Sequence, residues 1–199
     1  MIIFQGPNKK IVFIHIPKNS GRYIRQCISS HHKVLNSYWD VGQIDRAHIP
    51  YCLRNIFIKD ASTYRYFTFV RNPYDRFISA FKYKFPRASA QQMRDFIINV
   101  LPTFVFDKFF NPKIIHFFPQ YMFLIDENGD LNDVHKKVEI KKLENCSNFK
   151  IFPLNNFKLT KYNYNEYFNQ ETIDIINTIY KQDFESFKYP LITYKSDIE

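Results

Sequence analysis

Residues 63–81 read TYRYFTFVRNPYDRFISAF, and this stretch sets the architecture. Thr63 to Arg71 is rich in aromatic and β-branched residues, the composition of a strand. The chemistry then changes within two residues. Asn72 is a residue type that caps a helix, and Pro73 suits a first helical position, where its missing N–H costs nothing. Beyond them Phe77, Ile78 and Phe81 fall on one helical face. A strand, a short basic turn and a helix follow one another without a linker.

The same succession occurs earlier. IVFIHI (Ile11 to Ile16) is a continuous apolar run, as expected of a strand buried on both faces of a parallel sheet. Pro17 ends it, and Tyr23 to Ser29 can form a helix with Ile24, Cys27 and Ile28 on one side. Between them stand Lys18, Asn19, Ser20, Gly21 and Arg22. The chain has only four glycines, so one placed here asks for a reason. A helix N-terminus offers unpaired N–H groups and partial positive charge, which suits phosphate or sulfate. Lys18 adds a full charge, Asn19 and Ser20 add donors, and Gly21 allows close backbone approach or a positive φ. PKNSG is not the phosphate loop of nucleotide triphosphatases, whose lysine follows its last glycine. Alone it reads first as an ordinary strand-to-helix turn with an exposed lysine. The second turn gives it a counterpart: Arg71 can hold a phosphate bidentately, and Ser79, about two helical turns on, can add a hydroxyl. Arg76 competes for that role, unless it pairs with Asp75 or another acid.

The remaining pattern continues the alternation. Helices are expected over Ala90 to Leu101, stopped near Pro102, and over Gln170 to Phe184, with Ile173, Ile176, Tyr180 and Phe184 in register. YMFLIDENGDL (residues 121–131) reads as a strand entering an Asn128-Gly129 turn, and Val138 to Leu143 as a further strand before a short helix. Neither repeat nor low-complexity linker interrupts the chain. The expectation is one α/β domain over residues 1–199, with a central parallel sheet flanked by helices.

Bulk properties narrow the function. With 45% hydrophobic residues in 199, the composition argues against disorder. A net charge of +9 fits nucleic acid, an anionic surface or a small polyanion, and fits a merely solvated basic surface equally. Cys27, Cys52 and Cys146 are odd in number and form no CxxC pair, which argues for a reduced compartment and against a disulfide framework or Cys-rich zinc site. The first residues lack the shape of a signal peptide, and no apolar run approaches the roughly 18 residues a membrane span requires.

With these residues in view, PKNSGR and FTFVRNPYDRFISAF resemble the two cofactor motifs of the sulfotransferase superfamily, in its carbohydrate sulfotransferase branch. The second match is close, the first looser. Further segments follow in the family's order: RAHIPY (46–51), HFFPQYMFLIDENGDL (116–131) with Gln120 matching, KKLENCSNF (141–149) with Glu144 matching, and IYKQDFESFKYP (179–190). Three positions depart. Arg22 stands where the family carries Thr or Ser, either replacing the hydroxyl electrostatically or pointing away toward an acceptor. Ser20 stands where Gly or Ala is common. Leu154 in FPLNNF stands where relatives often have histidine, leaving Asn156 as a possible contact only.

The resemblance implies a P-loop-like sulfotransferase fold and an enzyme that moves a sulfuryl group from PAPS (3′-phosphoadenosine 5′-phosphosulfate) to an acceptor hydroxyl on a saccharide or glycan, releasing adenosine 3′,5′-bisphosphate. It assigns the 5′-phosphosulfate to Pro17, Lys18, Asn19, Ser20, Gly21 and Arg22, and the 3′-phosphate to Arg71 and Ser79. Lys18 would neutralise the leaving phosphate oxygen, in a reaction physically akin to phosphoryl transfer, and no metal is required. A histidine, with a usual pKa of about 6.5, would take the acceptor's proton. His48 is chosen on the RAHIPY match. His15 lies inside a strand and is expected to be structural; His31, His32 and His135 are expected at the surface; His116 could line the site. Lys82, Lys84 and Arg87 either meet an acidic saccharide or form a solvated face. No nucleic-acid partner and no membrane span are expected, and the location is expected to be cytoplasmic, of microbial or viral type, unless the chain is the soluble part of a longer Golgi-type protein. The rival readings are a P-loop-like nucleotide kinase, which lacks its lysine and magnesium ligand here, and a non-catalytic binder of nucleic acid or glycan.

Overall fold

The structure, a computed structural model, describes residues 1–38, 47–107, 111–154 and 157–193. Arg46 and Asn156 lie outside them. The strands are β1 (Ile2–Gln5), β2 (Lys10–Phe13), β3 (Val34–Ser37), β4 (Arg65–Val70) and β5 (Val138–Lys142). The α-helices are α1 (Gly21–His31), α2 (Arg54–Phe57), α3 (Pro73–Lys84), α4 (Ala90–Asn99), α5 (Asn132–Lys137), α6 (Tyr164–Tyr167), α7 (Gln170–Ile179) and α8 (Lys181–Phe187). The chain divides into two compact units, residues 1–71 with 120–159 and residues 72–119 with 160–199.

The first unit holds the sheet, in the order β3-β1-β2-β4-β5. β2, β4 and β5 are parallel, as the apolar runs led one to expect, with Phe13 opposite Phe67 and Thr68 opposite Ile140. β1 pairs antiparallel with both β2 and β3, so the sheet is mixed. The two antiparallel strands escaped the sequence reading: each is four residues long, and β3 is mostly exposed, which removes the periodic signal. Alternate residues Ile2, Phe4, Ile11, Phe13, Phe67 and Phe69 share one cluster with Ile24, Cys27 and Ile28 of α1. The period of two on the strands meets the helical period of α1, and each fully buried phenylalanine contributes about 2–3 kcal/mol. Parallel pairing continues past the formal end of β2, since Ile14 N–H donates to Phe67 O at 3.0 Å and Thr68 Oγ1 donates to Ile14 O at 2.8 Å. The polypeptide is therefore still held to β4 just before Pro17.

Residues 121–125 are not a strand. Gln120–Phe123 is a 3-10 turn, and the Asp126 carboxylate then accepts the N–H groups of Asn128 and Asp130, both at 2.9 Å, around Gly129 with φ 85°. Met122, Phe123, Leu124 and Ile125 are buried nonetheless, so a short apolar run satisfied its burial without a ladder.

The second unit is helical. Asn72 caps α3 as expected, its Oδ1 accepting the Tyr74 N–H at 2.9 Å with Pro73 in the first position. Phe77 and Phe81 of α3 meet Phe96 of α4, and Phe77 and Phe96 both meet Phe117. The helix expected over Gln170 to Phe184 breaks in two at Tyr180, whose backbone leaves the helical region at φ −101°, ψ 18°. Tyr180 is wholly buried, and its hydroxyl donates to Phe117 O at 2.7 Å. No helix of the described residues is long and apolar enough to cross a membrane.

Candidate active site

Between β2 and α1 the backbone does something costly. Lys18 has φ 67° and Ser20 has φ 58°, left-handed conformations at two non-glycine residues. Among the described residues, the N–H groups of Asn19, Ser20, Gly21 and Arg22 donate to no acceptor. α1 begins here with no acidic residue in its first turn and no side-chain cap. Four donors, the positive end of a helix and the half-buried Lys18 ammonium are thus gathered in one turn. An anion of phosphate or sulfate type fits that donor set.

Gly21 is needed for a reason other than a positive φ. A Cβ at this position would fall 1.7 Å from His15 Nε2. The imidazole of His15 lies against the glycine, so the loop and the end of the strand close on each other. His15 is buried, as expected of a structural histidine, and its Nδ1 faces Arg25 Nε at 3.5 Å. Arg25 comes from the buried side of α1 and also donates to Met1 O at 3.0 Å and to Tyr38 O. A buried arginine inside an otherwise apolar helix face was the signal available for it in the sequence.

His48, assigned from RAHIPY, sits beside His15 with ring centroids 4.3 Å apart. Its Nδ1 is 2.7 Å from His15 O. A carbonyl can only accept, so Nδ1 carries the proton and Nε2 is the basic nitrogen of the neutral ring.

Arg71 follows β4 directly and is buried. Its backbone is clamped by the Gln120 side chain: Arg71 N–H donates to Gln120 Oε1 at 2.9 Å, and Gln120 Nε2 donates to Arg71 O at 2.8 Å. The same Oε1 accepts Asn19 Nδ2 at 2.8 Å, and that Nδ2 also donates to Phe69 O at 2.7 Å. The first turn and the end of β4 are thereby joined through one buried amide.

Lys18, Asn19, Ser20, Gly21, Arg22, His48 and Arg71 all belong to the first unit, whereas Ser79 belongs to the second, half-buried on α3. Arg76, the competitor of Arg71, is wholly buried and donates to Phe118 O at 2.6 Å, a structural use. Arg22 is exposed and has no hydrogen-bond or ion-pair partner among the described residues. Of the other histidines, His31 Nδ1 lies 2.8 Å from Cys27 O, His32 Nε2 lies 2.9 Å from Ile151 O, His116 packs on Tyr83 and His135 is exposed on α5. Lys84 and Arg87 are exposed, while the Lys82 ammonium donates to Tyr167 Oη at 2.6 Å, a bond that raises its pKa.

Comparison with known families gives a match to a family described as the Sulfotransferase family, over residues 2–190. The chain belongs to the Sulfotransferase family, and sulfuryl transfer is its class of reaction. No curated protein and no solved structure matches it at a comparable level.

Proposed function

We propose that this sulfotransferase draws on PAPS and sulfates a carbohydrate hydroxyl. The observation that carries the reading is the turn of residues 18–22, with four N–H groups lacking an acceptor, a lysine beside them and no carboxylate in the first helical turn. PAPS, when bound, supplies an activated sulfuryl group whose departure leaves adenosine 3′,5′-bisphosphate.

In this reading the N–H groups of residues 19–22 hold the 5′-phosphosulfate, Pro17 sets the turn, and Lys18 offsets the charge that grows on the leaving oxygen. Arg71 binds the 3′-phosphate. The family resemblance adds Ser79 on α3 to that role. The acceptor oxygen forms a bond to sulfur as the sulfur–oxygen bond to phosphate breaks, and its proton passes to His48 Nε2. The exposed Arg22 is left to face an anionic acceptor rather than to replace the missing hydroxyl.

The test is a transfer screen with sulfate-labelled PAPS against a panel of glycans and small hydroxyl compounds, paired with calorimetry. Binding of adenosine 3′,5′-bisphosphate and label on a saccharide are expected. Binding of ATP with magnesium, but not of the bisphosphate, would overturn the reading in favour of a kinase.

A further inference from the structure

We infer that Gln120 is a positioning residue that fixes the distance between the two anion-binding elements of the first unit. The inference rests on the PAPS reading and deepens it. Gln120 is fully buried, as is Asn19 at 1% exposure. Its amide pairs with both backbone groups of Arg71 and, through the same Oε1, with Asn19, so three hydrogen bonds of 2.8–2.9 Å converge on one side chain. The Asn19 amide adds a fourth, to Phe69 O at 2.7 Å, in the strand that delivers Arg71.

These bonds reach where the sheet does not. The formal ladder between β2 and β4 ends at Phe13 and Phe67, several residues short of Lys18 and Arg71. The Ile14 N–H to Phe67 O bond extends that ladder by one step, still short of both turns. Gln120 and Asn19 carry the connection on to the turns with side-chain amides that mimic a neighbouring strand. A buried amide left without such partners costs far more than a paired one gains, so the arrangement is close to all-or-none. Rigid spacing is what a ligand with two anionic ends exploits, because the second contact then forms without further ordering of the protein.

Calorimetry with three probes tests this: adenosine 3′,5′-bisphosphate, adenosine 5′-monophosphate and adenosine 3′-monophosphate. The wild type should prefer the bisphosphate over either monophosphate. Gln120→Met keeps the volume and removes the amide; it should lower that preference by about tenfold, leaving each monophosphate affinity within about twofold. Gln120→Glu keeps the two accepting contacts and should fall between the two. Should the methionine variant fail to fold by circular dichroism, the glutamate variant decides. An unchanged preference in the folded variants, or an equal loss for all three probes, overturns the inference alone. Failure of the wild type to bind any probe strikes the PAPS reading first and the inference with it.

Discussion

His48 Nδ1 stands 2.7 Å from the carbonyl oxygen of His15, and that contact determines which nitrogen of His48 is basic. In the proposed mechanism, where His48 is the general base, its lone pair must be in place before the acceptor arrives, and the His15 carbonyl would secure this by holding the proton on the opposite side of the ring. His48→Ala should lower kcat by about 10²–10⁴ while leaving adenosine 3′,5′-bisphosphate binding intact. The acid limb of the wild-type rate profile, where activity rises as pH rises, should vanish with it. An unchanged kcat in steady-state transfer assays removes His48 from the mechanism.

Lys18 combines charge with a left-handed backbone, φ 67°. Lys18→Gly should be at least as stable in urea denaturation as the wild type, since glycine takes that conformation at no steric cost. Its kcat should nevertheless drop by about 10²–10³, the scale of losing one charge-stabilising group. Wild-type turnover by this variant would sink the assignment. Arg71→Ala should differ in kind, weakening donor binding more than turnover.

Gly21 and His15 are in contact at a distance that no side chain can enter, 1.7 Å from the place of a Cβ. Gly21→Ala should therefore destabilise the protein by about 1–3 kcal/mol, although alanine is the better helix former. Adding His15→Ala should restore part of the loss. Strict additivity of the two changes in a double-mutant cycle would show that the contact is not what constrains position 21.

Alkaline pH should act through buried phenols. Burial raises the pKa of Tyr66, Tyr74 and Tyr180 above the ordinary phenol value of about 10. The unfolded chain loses these protons first, so stability is complete below about pH 10 and falls as pH rises beyond it. Urea midpoints followed from about pH 9 to pH 11.5 should decline accordingly. Tyr180→Phe should shallow the decline, and a flat profile in the wild type would contradict it.

Much of this was readable from residue types because the signals were local. The runs Ile11 to Ile16 and Thr63 to Val70 carry their burial in their composition, and Asn72-Pro73 announces α3 in two letters. Long-range relations were not readable. Asn19 and Gln120 meet across 101 positions; the match of Gln120 to a family pattern marked it without saying what it touches. Residues 121–125 have strand composition, yet most of them take a 3-10 turn with no ladder partner, which composition does not report. Tyr180 keeps the helical spacing expected of it while its backbone departs, because spacing records burial and not hydrogen bonding. Of the two uses expected of Gly21, close backbone approach or a positive φ, the second is not taken, and the missing Cβ leaves space for His15, a contact visible only in three dimensions.

The pairing of Gly21 with His15 also bears on how such a sequence can drift. Two positions six apart occupy a volume that admits one side chain. Enlarging either alone meets an occupied space, so lineages related to this chain should alter them jointly or leave both alone. The turn that gathers the anion donors thus inherits a constraint from a neighbouring ring.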